Sequence, residues 1–184
     1  SRWTHQLVCV SDDELASGRA AGVTAPAEVV CNGVDTAQLQ PSDRAEARRR
    51  LNLSERPTAV CVGRLAPQKG QDLLLAAWPA VLAEVPDAQL VLVGDGPMRT
   101  AWQQDQKSVR WWGHSDDVTD FYAAADVVVL PSRAEGMALV PLEAMACGRS
   151  VVAFDVGGAR QSLGPAGAVV AREDVPALGS ALAA

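Results

Sequence analysis

From Thr58 onward, short runs of apolar and β-branched residues alternate with stretches whose apolar positions recur at helical spacing. The runs predict strands near Thr58–Val62, Gln89–Val93, Val109–Trp112, Val127–Leu130 and Ser150–Phe154. Helices are predicted between them, near Gln71–Val85, Met98–Asp105, Asp116–Ala124, Val140–Cys147 and Ala159–Leu163. Pro79 falls inside the first helix and is expected to kink or divide it, because proline lacks the N–H and crowds the preceding turn. The alternation implies βαβ units. The expected fold class is therefore α/β, a Rossmann-like parallel sheet flanked by helices.

The two ends depart from this rhythm. Leu7-Val8-Cys9-Val10 reads as a strand that runs into Ser11-Asp12-Asp13-Glu14, a capping box opening a helix to about Ala21. Asp174–Ala184 reads as a helix that stops without a cap.

With 184 residues, the chain can bury one good core. Its 48 % apolar and 21 % charged residues are ordinary for a globular protein, no apolar run approaches a bilayer-spanning length, and nothing reads as a signal peptide. The net charge of −6 argues against a nucleic-acid surface and against general attraction to anionic lipid, so any phosphate site must be local. The four cysteines, Cys9, Cys31, Cys61 and Cys147, show no C-x-x-C pair and have only His5 and His114 as nitrogen companions. They are expected to be buried free thiols in a reducing, cytoplasmic compartment, and no metal site is expected.

If the strands are parallel, the loops after their carboxyl ends gather on one edge, where open α/β sheets bind ligands. The polar landmarks all fall there: Gly63–Gly70, Gly94–Pro97, Gly113–Asp116, Pro131–Leu139 and Asp155–Gly158. The segment Val127–Gly148 is the most telling, a strand, loop and helix with Glu135 before the helix start and Glu143 in its first turn. Backbone N–H groups at such a helix start attract anions, and the carboxylates can accept from hydroxyls. A phosphorylated, polyhydroxylated ligand fits both. Gly136, lacking Cβ, permits close backbone approach. Gly94-Asp95-Gly96-Pro97 invites a dinucleotide reading, but the G-x-G-x-x-G pattern ends in Arg99, and a turn into a helix with Pro97 in its first turn is expected instead. Taken singly, Arg64 and Lys69 read equally as solvated loop charges, Glu135 as an exposed loop acid and Glu143 as a helix N-terminal carboxylate.

Together these stretches resemble a known family. Glu135 to Glu143 looks like the E-x7-E signature of the retaining nucleotide-sugar glycosyltransferases of GT-B fold. Val62-Gly63-Arg64-Leu65-Ala66-Pro67-Gln68-Lys69-Gly70, Val91-Leu92-Val93-Gly94-Asp95-Gly96-Pro97 and Asn32-Gly33-Val34-Asp35 are similar to three further stretches of that family, in the same order. The resemblance implies that Arg64 and Lys69 stabilise a diphosphate leaving group, that Glu135 holds donor-sugar hydroxyls near the reacting carbon and that Glu143 holds the ribose. It implies that the backbone of Gly136, Met137, Ala138 and Leu139 contacts sugar and phosphate, with Gly33 near the phosphates and Gly63 among the binding residues. It places the nucleobase at Trp112, Gly113 and His114, although a strand tryptophan is more often a core residue. Asn32–Asp35 would mark an interdomain cleft. Where the family more often has an aromatic residue followed by glycine or proline, this chain has Met137 and Ala138, which leaves the sugar open.

On this resemblance residues 1–25 are the end of a preceding acceptor-binding domain, otherwise absent, or an interdomain segment, and residues 26–184 form the nucleotide-sugar-binding domain, truncated at its C-terminus. The implied donor is a UDP or GDP sugar, with no cofactor and no metal, and the isolated half is expected to transfer no sugar. Any peripheral membrane attachment would come through the missing half. Other readings are a GT-B sugar-nucleotide epimerase or hydrolase, a non-catalytic nucleotide-sugar-binding module and an NAD-binding oxidoreductase domain. The last is disfavoured by the broken glycine pattern and by the lack of a clear acidic residue ending the next strand.

Overall fold

The structure, a computed structural model, describes residues 4–184, so Ser1, Arg2 and Trp3 of the expected first segment lie outside the described residues. A small unit comes first. Strand β1 (Leu7–Cys9) runs into α1 (Asp12–Ala20), and β2 (Ala27–Val29) returns to pair with β1 in parallel. The capping box forms: Ser11 Oγ accepts the Glu14 N–H at 3.1 Å, while the Glu14 carboxylate accepts the Val10 N–H at 2.7 Å, one residue ahead of the cap. Helix α2 (Arg44–Arg50) leads to the main sheet. Its composition, Arg-Ala-Glu-Ala-Arg-Arg-Arg, gives no apolar period to read. What anchors it is Arg48, buried and hydrogen-bonded to the Ala124 carbonyl at 3.0 Å and to Asp126 at 2.8 Å.

The main unit runs β3 (Thr58–Val62), α3 (Gln71–Glu84), β4 (Gln89–Val93), α4 (Arg99–Trp102), β5 (Val109–Gly113) and α5 (Thr119–Ala124), then β6 (Val127–Leu130), α6 (Leu139–Ala146), β7 (Ser150–Phe154), α7 (Ala159–Leu163), β8 (Ala168–Val170) and α8 (Val175–Ala183). The six strands lie in the order β5-β4-β3-β6-β7-β8, every pair parallel. The α/β expectation holds. Because both faces are covered, the strands read as unbroken apolar runs. Val60, Val91, Val128 and Val151 turn to one face, against Phe121, Tyr122, Ala144 and Cys147, whereas Cys61, Leu92, Val129 and Val152 turn to the other, against Leu74, Trp78 and Leu178.

Several expectations are corrected. Helix α3 is undivided: Pro79 removes only the N–H that would reach the Leu75 carbonyl, and burial of Leu74, Ala77, Trp78 and Val81 holds both halves on the sheet. Helix α4 is one turn, not two, because Gln103, Gln104, Asp105 and Gln106 offer no apolar anchor after Trp102, and Pro97 lies just before it, with Met98 as its cap. Helix α5 starts at Thr119 because Asp117 is held in a turn, its carboxylate accepting the Thr119 N–H at 2.8 Å. All four thiols are free, but Cys9 is only half-buried and Cys31, beyond β2, is exposed. Burial pushes the Cys61 thiol up to about 12. Among the described residues no helix is long and apolar enough to cross a membrane.

Candidate functional site

In the sheet order, β3 is central: the chain first builds outward through β4 and β5, then returns to lay β6 on the other side of β3. The loops after β3 and β6 therefore leave in opposite directions and open a crevice at the carboxyl edge. These are the loops holding Gly63–Gly70 and Pro131–Leu139. They are knit together by the Arg133 N–H to the Gln68 carbonyl at 2.8 Å and by Gln68 Nε2 to the Ala134 carbonyl at 2.9 Å. Gly70 makes this approach possible: its φ is +68°, and a Cβ there would lie 1.9 Å from the Pro131 carbonyl oxygen.

Across the crevice Lys69 Nζ donates to Glu135 Oε1 at 2.7 Å, with the carboxylate side chain only 9 % exposed. Glu135 and Gly136 line a cavity of about 540 Å³ together with Arg133, Asp155 and Gly157. Arg64 stands apart, exposed, with no hydrogen bond or ion pair from its guanidinium to the described residues. It lines a second cleft of about 350 Å³ with Gly63, Gly94, Asp95 and His114. His114 is exposed at this mouth and lies 3.0 Å from Asp116. Trp112 points away from it, into the core: its ring meets Phe121 edge-on at 4.8 Å and is covered by the Arg110 guanidinium at 4.5 Å.

Helix α6 begins without a side-chain cap, its N-cap position being Ala138. The N–H groups of Gly136, Met137, Ala138 and Leu139 have no acceptor among the described residues. Unpaired donors thus run from the loop into a helix start, where the macrodipole favours an anion. Glu143, expected in the first turn of this helix, lies in its second turn because α6 begins at Leu139, and it lines neither cavity; its Oε2 accepts the hydroxyl of buried Tyr122 at 2.5 Å. Burial and the adjacent Glu143 push the Tyr122 hydroxyl pKa far up, so it remains a donor. Among the described residues no three of His, Cys, Asp and Glu converge as a metal-binding group.

Residues 56–184 match the family described as "Glycosyl transferases group 1". The chain belongs to this family. It is 37 % identical over 182 residues to the GDP-mannose-dependent alpha-(1-6)-phosphatidylinositol monomannoside mannosyltransferase of Mycolicibacterium smegmatis, covering 89 % of this chain and 48 % of that protein. Among solved structures, HepE of Anabaena in complex with UDP and glucose superimposes with a TM-score of 0.86 at 26 % identity, over 98 % of this chain and 53 % of that one. Sucrose-phosphate synthase of Thermosynechococcus elongatus gives 0.85 at 31 %, over 96 % and 48 %. The chain thus spans about half the length of these three proteins and corresponds to one Rossmann-like half of a GT-B glycosyltransferase.

Within this group 1 domain, several contacts at the site carried no sequence signal. Arg133 pairs with Asp72 at 2.7 Å and bonds the Pro67 carbonyl at 2.7 Å, bracing the two loops from outside. That guanidinium holds the Asp72 carboxyl below its usual range. Gly157 packs against the Glu135 backbone, where a Cβ would come within 2.3 Å of the carbonyl oxygen. Tyr122 could be found only by knowing that α5 faces α6.

Proposed function

We propose that this chain is the donor-binding half of a retaining glycosyltransferase that moves a sugar from a nucleoside diphosphate to a hydroxyl acceptor, without a metal and in a reducing, cytoplasmic setting. The observation that carries the reading is the Lys69–Glu135 pair at the switch point, beside four unpartnered backbone donors. A diphosphate gains negative charge as the bond to the sugar breaks, and Lys69, Arg64 and the N–H groups of Met137, Ala138 and Leu139 supply positive potential for it. Glu135, half of that pair, accepts from donor-sugar hydroxyls, and Glu143 accepts from the ribose. The base lies at the Gly113–His114 edge of the 350 Å³ cleft, against backbone groups and His114 rather than the Trp112 ring. Retention follows in this reading from attack on the face the leaving group departs from, directly or through a short-lived ion pair. The mycobacterial relative is named for GDP-mannose and the Anabaena protein was crystallised with UDP and glucose, so both bases enter the test.

Isothermal titration with UDP, GDP and the matching nucleosides, without metal, tests it. The chain is expected to bind one diphosphate. Arg64→Ala and Lys69→Ala are each expected to weaken that binding by about 1.5–3 kcal/mol, the scale of a hydrogen bond to a charged group, while nucleoside binding hardly changes. Equal losses for nucleoside and diphosphate would sink the phosphate assignment.

A further inference from the structure

The loop that presents these backbone donors is held from a distance. The carbonyl of Gly136 accepts Ser11 Oγ at 2.9 Å, and the carbonyl of Met137 accepts Asn32 Nδ2 at 2.7 Å. Both donors belong to the N-terminal segment, Ser11 at the head of α1 and Asn32 just past β2, more than a hundred residues away in sequence from the loop they hold. Asp13 of α1 adds a third tie, its carboxylate accepting the Gly158 N–H at 3.0 Å in the loop after β7.

In a trans peptide unit the C=O and N–H point in opposite directions within one plane. Fixing the Gly136 carbonyl therefore aims the Met137 N–H, and fixing the Met137 carbonyl aims the Ala138 N–H, each away from the N-terminal segment. Both N–H groups lack an acceptor among the described residues. Without these anchors the loop, which has no side-chain cap at α6, would be free to rotate its peptide planes. Resting on the donor-binding reading above, we infer that Asn32, with Ser11, is a positioning residue for the diphosphate: its carboxamide orients the Met137–Ala138 peptide and the Ser11 hydroxyl the Gly136–Met137 peptide, so that two consecutive backbone N–H groups face the ligand. The N-terminal segment thereby acts on the phosphate site without touching the ligand.

Ser11 also caps α1, so Asn32 is the cleaner probe. Asn32→Ala is expected to weaken UDP or GDP about five- to tenfold, one hydrogen bond's worth of lost orientation, and to leave the matching nucleoside unchanged. Asn32→Asp, which turns an acceptor toward the Met137 carbonyl, should lose at least as much. In the unaltered protein, the amide proton resonances of Met137 and Ala138 should shift with the diphosphate and stay in place with the nucleoside. Unchanged diphosphate affinity in Asn32→Ala overturns the inference while leaving the nucleotide reading intact. Equal losses for nucleoside and diphosphate with a lowered melting temperature also overturn it, since they mark a merely structural role. If neither variant folds, the amide shifts decide: no shift at Met137 and Ala138 overturns it. No binding of UDP or GDP by the unaltered protein overturns the nucleotide reading and this inference together.

Discussion

Glu135 and Glu143 have the same side chain and different surroundings, and their environments separate their proposed roles. Glu135 is paired with Lys69 in the crevice and lines a cavity; Glu143 lines neither cavity and is braced at one oxygen by a buried phenol. If Glu143 holds the ribose, Glu143→Ala should weaken bare nucleotide and nucleotide sugar alike, by about 1.5–3 kcal/mol. Glu135→Ala should spare the bare nucleotide and weaken only the nucleotide sugar. Titration of both ligands into both variants checks this, with a thermal melt alongside to exclude structural damage. Should Glu135→Ala weaken the two ligands equally in a folded protein, its assignment to the sugar is wrong. Tyr122→Phe, which deletes one hydroxyl and keeps the ring, should follow Glu143→Ala in kind and fall short of it in size. It should have no effect on a nucleotide lacking both ribose hydroxyls.

The elements that carry the site meet at glycines, and their stability is testable apart from any ligand. Gly70→Ala sets a Cβ against the Pro131 carbonyl at a left-handed φ, so loss of more than about 2 kcal/mol is expected, a melting-point drop of several degrees. Gly33→Ala is the control, with nothing within 4 Å of the added Cβ, and should change stability by less than about 0.5 kcal/mol. Equal melts for the two variants would refute the close-contact account of how the β3 and β6 loops are joined. Strands buried on both faces were legible in the sequence: β3, β4, β6 and β7 begin and end where their apolar runs do, because burial and pattern are the same constraint there. Elements held by other forces were not. Helix α2 is anchored by the ion pairs of buried Arg48, and β2 and β8 are three-residue strands whose partners lie elsewhere in the chain. At the site the composition of each loop was readable, but the contacts between loops, Lys69 to Glu135, Asn32 to Met137 and Tyr122 to Glu143, depend on tertiary placement that no local pattern encodes.

On the scale of the whole molecule, the chain corresponds to one Rossmann-like half of a GT-B glycosyltransferase. The carboxyl edge of the six-stranded sheet carries cations, carboxylates and unpaired backbone N–H groups, the proposed donor site. The β1–α1–β2 unit and the turn after it lie against this edge, with the side chains of Ser11, Asn32 and Asp13 bonded to Gly136, Met137 and Gly158 and with Val8 and Val30 exposed; in the reading proposed above, the acceptor is held by the other half. A transfer reaction needs the acceptor hydroxyl held within bonding reach of the sugar carbon, and losing that orientation costs orders of magnitude in rate. The 184-residue chain, about half the length of its relatives, should therefore bind a nucleoside diphosphate sugar and transfer no sugar to added acceptors. Incubation with a radiolabelled UDP or GDP sugar and a panel of alcohol and glycoside acceptors, resolved by chromatography, checks this. Labelled acceptor at more than trace level would refute the half-enzyme reading, because it would show that the acceptor side is already present. Slow release of free sugar would not, since a bound donor with a polarised leaving group can lose its sugar to water. Donor binding without transfer, restored when a matching acceptor-binding half from a relative is joined ahead of β1, is the outcome this architecture predicts.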